Sequence, residues 1–224
     1  MATRTAQRWG ILAILIVTVI GTLGSFAVMV LSTQNQANDD ARLQQIQAEY
    51  QAKYEDYQAE LDKQSSELSA KYYTTFKNYE SFAEPYALES VTDLVMNDIV
   101  VGSGEEITGT TKFAAYYIGW NPKGKIFDQS IEGDKLKAPL YDAVGLSSGL
   151  DGAGLIQGWI EGMKGMRIGG VREIAIPSDK AYGEAGQGDD IPANTPIKFI
   201  VMAIEPPDLI EQPEVPLELY QGIY

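Results

Sequence analysis

The chain has 224 residues, with 31 acidic and 17 basic side chains, a formal charge of -14, and neither histidine nor cysteine. A charge of that sign repels phosphate backbones unless a local basic patch intervenes, and none is present, so nucleic acid is excluded as a partner. The missing imidazoles and thiols remove Ser-His-Asp and Cys-His catalysis, thiol redox chemistry, and zinc or iron sites built on those ligands.

At the N-terminus, residues 1–8 carry Arg4 and Arg8, and from Trp9 to Leu31 no residue is charged. About 23 residues at about 1.5 Å each reach about 35 Å, enough for a bilayer core of about 30 Å, so 9–31 is expected to be a transmembrane helix. A cleavable signal peptide is the rival, but its apolar region would span only about 7–15 residues and end in a small-residue cleavage site. Asp39 and Asp40 follow the span, so the positive-inside bias places the N-terminus in the cytoplasm and residues 32–224 outside the cell membrane.

Residues 34–80 contain no Gly or Pro and are rich in Gln, Glu, Ala and Lys, which predicts a long helical stalk over 32–82. Leu43, Ile46, Tyr50, Tyr54, Tyr57, Leu61, Ser65, Leu68, Tyr72, Phe76 and Tyr79 recur at spacings of 3, 4 and 4, an eleven-residue repeat that favours a nearly straight stripe over a heptad seam. Three readings stand: a coiled-coil homo-oligomer through residues 43–79, a helix that folds back on the domain following it, or a solitary solvated spacer.

A linker is expected at 83–94. Beyond it, Val95–Val101, Lys112–Ile118, Val171–Ile176 and Ile197–Ile204 are β-rich runs bounded by turn residues, with a short helical candidate at Trp159–Met166. Many strands with one helix predict an α+β domain over 95–205, and the four prolines of 206–224 predict an extended acidic tail. The glycines of Gly104–Thr111 have phosphate-loop spacing, but the lysine is missing and Glu105 and Glu106 would repel the anion.

The segment Leu155-Ile156-Gln157-Gly158-Trp159-Ile160-Glu161-Gly162, with Ala181-Tyr182-Gly183 further on, has the ingredients of an aromatic-floored pocket without a nucleophile. Together with Tyr116-Tyr117-Ile118-Gly119-Trp120, Gly124 to Ser130, Met166 to Arg172, Ile176-Pro177 and Ile191 to Phe199, in this order, it resembles the FKBP-type peptidyl-prolyl isomerases, immunophilins that bind macrolides. The resemblance spans about 95–205. It implies a curved antiparallel sheet wrapped around one short helix, preceded here by the membrane helix and the long α-helix.

The resemblance also assigns roles. Trp159 is expected at the pocket floor, with Tyr117, Phe127, Ile156, Tyr182 and Phe199 as walls, Asp128 as the pocket carboxylate, and the Ile156 N–H as the donor to a ligand carbonyl. Leu155 and Ile191 are expected at the rim, where Leu140 replaces the usual aromatic. No metal or cofactor is implied. The implied activity is prolyl cis–trans isomerisation of proline-containing polypeptides, with macrolides as candidate inhibitors. Between Ser130 and Leu155 the chain departs from the pattern: the segment is longer, and no arginine partner for Asp128 is evident. The alternative is therefore a catalytically weak binding, scaffold or holdase module in which residues 141–154 narrow or cover the pocket.

Overall fold

The computed structural model describes the backbone of residues 4–220 and the side chains of residues 25, 29, 36 and 38–220. Helix α1 runs Arg4–Phe76 and passes at its end into a tighter 3-10 turn, Lys77–Phe82. The expected membrane span at 9–31 lies, for its side chains, outside the described residues apart from Ser25 and Met29. Among the described residues, no helix is long and apolar enough to cross a membrane.

Residues up to Gln58 and those from Glu211 onward form one compact unit, and Ala59–Ile210 form another. In the first unit the rings of Tyr50, Tyr54 and Tyr57 follow one another at centroid distances of 6.2 and 5.9 Å, and Arg42 pairs with Glu218 at 3.6 Å. The tail is not extended throughout. It ends in one helical turn, α3 (Leu217–Tyr220), which Pro216 introduces by accepting the Leu219 N–H at 3.0 Å, as suits a residue with a preset φ.

The second unit is built on an antiparallel sheet of β1 (Val95–Val100), β2 (Ala114–Trp120), β3 (Ile126–Gln129), β6 (Val171–Ile176) and β7 (Ile197–Ile204), in the spatial order β1-β6-β7-β2-β3. A small hairpin, β4 (Ile131–Glu132) and β5 (Lys135–Leu136), leaves the sheet after β3. Helix α2 (Gln157–Met163) packs against β6. It starts and stops earlier than the sequence pattern predicts; the stop precedes Gly165, whose left-handed φ of 76° a helix cannot continue through. Strand β2 likewise sits at 114–120 rather than 112–118, its pairing with β7 beginning at Ala114 opposite Ile204.

Strand alternation gives β2 two faces. Tyr116 points to the face covered by the end of α1, where its ring lies 6.0 Å from that of Tyr72 and 5.9 Å from that of Phe76. Phe76 is fully buried, and Leu68, Tyr72, Tyr73 and Tyr79 pack against the same core. This part of the tyrosine stripe is therefore occupied within the chain. The hairpin grips the same helix: the Ser69 hydroxyl accepts the Leu136 N–H at 2.8 Å and the Tyr73 hydroxyl donates to the Gly133 carbonyl at 3.3 Å.

Burial of this kind makes α1 part of the domain's core. Phe76→Ala should destabilise the chain by about 3–5 kcal/mol, the usual cost of a large-to-small change in a closed site. Urea unfolding of the full chain measures this, and a loss below about 1 kcal/mol would show that the helix end is not held as the structure has it.

Candidate functional site

Tyr117, two places along β2 from Gly119 and on the same face, looks away from α1 toward α2. Its ring meets Trp159 edge-on at 5.6 Å, Trp159 meets Phe199 at 5.2 Å, and Phe199 meets Phe127 at 5.6 Å, with interplanar angles of 80–88°. Such edge-to-face contacts are the favoured aromatic geometry and lock the four rings together. Gly119 is the gap that admits them: a Cβ there would collide with the Phe199 ring and lie 2.8 Å from Phe127 Cζ.

Beside this cluster is a cavity of about 300 Å³ lined by Phe127, Asp128, Tyr182, Ile191 and the Gln187–Asp190 turn. The Tyr117 hydroxyl donates to Asp128 Oδ2 at 2.5 Å. Asp128 thus has the Tyr117 phenol as its side-chain partner. Burial first, then this hydrogen bond and the Asp128 charge, push the Tyr117 phenol well above its ordinary pKa; burial and Asp128 push Tyr182 in the same direction. Both hydroxyls stay protonated at neutral pH.

The remaining expected residues divide. Trp159 and Ile191 are buried at 3% and 2% exposure, so Ile191 lines the cavity from the interior rather than standing at its edge. Leu155 and Ile156 are half-buried against the core, and the Ile156 N–H has no hydrogen-bond partner among the described residues, which leaves it available as a donor. Leu140 is half-buried and exchanges both backbone hydrogen bonds with Ala115, at 3.0 and 2.9 Å, so β2 fixes its place. Tyr117, Leu140, Leu155, Ile156, Trp159 and Phe199 are not among the residues lining the 300 Å³ cavity itself.

The segment 141–154 does not cover the cavity. It forms three successive 3-10 turns that bury Leu146 and Leu150 in the core, and none of its residues lines the cavity. Sequence reasoning missed Ser130, whose hydroxyl accepts the Tyr117 N–H at 2.9 Å while its own N–H donates to the Tyr117 carbonyl at 2.8 Å. It also missed the Gln187–Asp190 turn, in which Asp190 pairs with Lys125 at 2.5 Å. Nothing in the local pattern links these partners, which lie 65 positions apart.

An arrangement of dry aromatic rings, one free backbone donor and a carboxylate held by a phenol suits the binding and twisting of a neutral, planar amide. Proton transfer has no place in it. Known proteins agree. A model of the FKBP-type peptidyl-prolyl cis-trans isomerase family matches residues 103–204. An FK506-binding protein of Neisseria meningitidis serogroup A is 33% identical over 108 residues, covering 48% of this chain and 91% of that protein. A probable FK506-binding protein of Corynebacterium glutamicum is 36% identical over 111 residues, 49% of this chain and 83% of that one. A probable FKBP-type peptidyl-prolyl cis-trans isomerase of Haemophilus influenzae is 32% identical over 104 residues, 46% and 39% respectively.

The protonation states lead to an expected pH profile. With Tyr117 raised and no imidazole or thiol in the chain, no group of the pocket changes charge on the alkaline side of neutrality before the ordinary tyrosine range near 10. Turnover should therefore be flat from about pH 6 to 9, as read from rates on a peptide without titrating side chains. A bell-shaped profile centred in that window would show that a proton is transferred in the rate-limiting step.

Proposed function

We propose that this chain, which belongs to the FKBP-type peptidyl-prolyl cis-trans isomerase family and is a prolyl isomerase, acts on X–Pro bonds of exported or membrane proteins as they fold. The uncatalysed turn crosses a barrier of about 18–20 kcal/mol set by amide resonance and takes tens of seconds or more. The planar amide is the more charge-separated form, so moving it from water into the aromatic pocket disfavours it relative to the twisted form. The Ile156 N–H, free in the structure, is placed to hold a substrate carbonyl while the bond turns.

The observation that carries this reading is the interlocked set of Tyr117, Phe127, Trp159 and Phe199 beside an uncovered cavity. Lowering the barrier by about 4–7 kcal/mol accelerates rotation by about 10³–10⁵, through exclusion of water, aromatic shape selection and one hydrogen bond. The absence of residues 141–154 from the cavity lining counts against the part of the binding-module alternative in which that segment narrows or covers the pocket.

The full chain is the right object to assay, because a fragment beginning near residue 90 would strip Tyr116 of the cover that Tyr72 and Phe76 provide. On an X–Pro peptide, the double variant Trp159→Ala, Phe127→Ala should lose about 100-fold or more in kcat/KM, a deficit of about 3 kcal/mol in transition-state binding. Parent activity equal to that of the double variant would end the enzyme reading. The relatives named as FK506-binding proteins also support a macrolide of that kind as a competitive inhibitor. The aliphatic rim at Leu140 favours weaker binding than an aromatic rim would give.

The placement proposed for the enzyme is a single-pass anchor through residues 9–31, with the N-terminus cytoplasmic and the isomerase domain outside. Support comes from the uncharged run and its flanking charges. In fractionated cells the chain should resist alkaline extraction from membranes, and external protease should reach the domain. Release into the soluble fraction at alkaline pH would remove the anchor. A homo-oligomer would be left with residues 43–61 of the stripe, since the part from Leu68 to Tyr79 packs within the chain. Only monomers in mass photometry would remove that interface.

A further inference from the structure

Helix α2 carries Trp159, whose ring stands against those of Tyr117 and Phe199 beside the cavity, yet it has only 7 residues and its N-cap, Ile156, provides no side-chain cap. A helix this short is not stable by itself. Its position is therefore imposed from outside, and the structure shows by what. Ile176, Ile174 and Arg172 alternate along β6 and share the face turned to α2. Opposite them, one turn apart on α2, are Gly158 and Gly162: a Cβ on Gly158 would collide with the Ile176 side chain, and one on Gly162 would lie 2.7 Å from Ile174 Cγ2. Two isoleucines thus sit directly against the helix backbone and fix its distance from the sheet.

The isoleucines alone would let the helix slide along its axis. Arg172 stops it. Its guanidinium Nη1 donates to the carbonyls of Gly162 at 2.8 Å and Lys164 at 3.1 Å, which belong to the end of α2 where backbone acceptors lack helical partners. Nε and Nη2 fork onto Asp98 of β1, directly across the strand pair, at 2.6 and 3.0 Å. The Arg172 side chain is only 7% exposed, so the charge is held by these four bonds rather than by water.

We propose that Arg172, oriented by Asp98, is a positioning residue of the isomerase: it sets where α2, and with it Trp159, stands against the rings of Tyr117 and Phe199 beside the pocket. The proposal rests on the enzyme reading above and adds to it a residue that touches no substrate. A shift of about 1 Å in the interlocked rings is enough to cost about 100-fold in such sites. The loss should fall on kcat, because the rings that Trp159 supports would be displaced while the cavity lining at Ile191 and the Gln187–Asp190 turn, which is not part of α2, stays in place.

The test uses the full chain. Arg172→Met should lose about tenfold or more in kcat with KM within about twofold. It should also red-shift the emission of Trp159, taken as the difference between each protein and its Trp159→Phe counterpart. Arg172→Lys, which keeps the charge but cannot fork, and Asp98→Asn, which leaves the guanidinium without its carboxylate, should show smaller losses in the same direction. Lys198→Gln breaks the 3.2 Å pair that Lys198 of β7 makes with Glu173, the neighbour of Arg172 on β6, without touching α2, and should leave kcat and emission unchanged.

Parent-like kcat and emission in folded Arg172→Met would overturn the proposal; should that variant fail to fold, the same result in Arg172→Lys and Asp98→Asn would do so. A kcat loss in Lys198→Gln matching that of the Arg172 variants would equally overturn it, by showing a general effect of destabilised strands. A parent chain without isomerase activity would instead defeat the reading of function, and the emission shift alone would then decide whether Arg172 sets the place of Trp159.

Discussion

Strand β2 is the constraint on which the molecule depends, because a single alternation assigns its neighbouring tyrosines to opposite jobs. Tyr116 faces α1 and is sealed by Tyr72 and Phe76, while Tyr117 faces Trp159 and holds Asp128. A one-residue slip in the pairing of β2 with β7 would exchange these faces, burying the site residue under the helix and turning the core residue into the pocket. The pairing from Ala114 opposite Ile204 to Trp120 opposite Lys198 prevents that slip. Gly119, where a side chain would displace the rings of Phe199 and Phe127, makes the pocket face of β2 specific to this register.

The pocket works by what it keeps out. Its rings meet edge to face and its carboxylate is engaged by a phenol that burial holds neutral, so the site can exclude water without leaving a charge stranded. That is the requirement for amide rotation, in which no proton moves. A chain devoid of histidine and cysteine gives up nothing by it.

Departures from the family pattern serve the helix rather than the pocket. After Gln129 the chain returns to β2 through Ser130, detours into the β4–β5 hairpin, and rejoins β2 at Leu140. The detour meets Ser69 and Tyr73 of α1, and the turns beyond it bury Leu146 and Leu150. The end of α1 is thus docked on both the β4–β5 hairpin and Tyr116 of β2.

Much was legible in the chain itself. The order of the motifs from Tyr116 to Phe199 implied the fold, and the same motifs carry Tyr117, Phe127, Trp159 and Phe199, whose rings the structure interlocks. The eleven-residue repeat of the stripe, 3.67 residues per turn, lies close to the 3.6 of an α-helix and so identified the helix and its apolar face. Periodicity could not say what buries that face: the partner of Phe76 is Tyr116, 40 positions away by number, and only packing brings them together. The same holds for Ser130 beneath Tyr117, for the Gln187–Asp190 turn, and for Arg172, an ordinary strand residue in the sequence. Local pattern is written in neighbours three or four apart, and so the sequence determined the elements and the chemistry available. Which elements touch depends on how apolar surface closes over distant partners, and that was decided by the tertiary structure, including the helix end, the hairpin and the stop on α2.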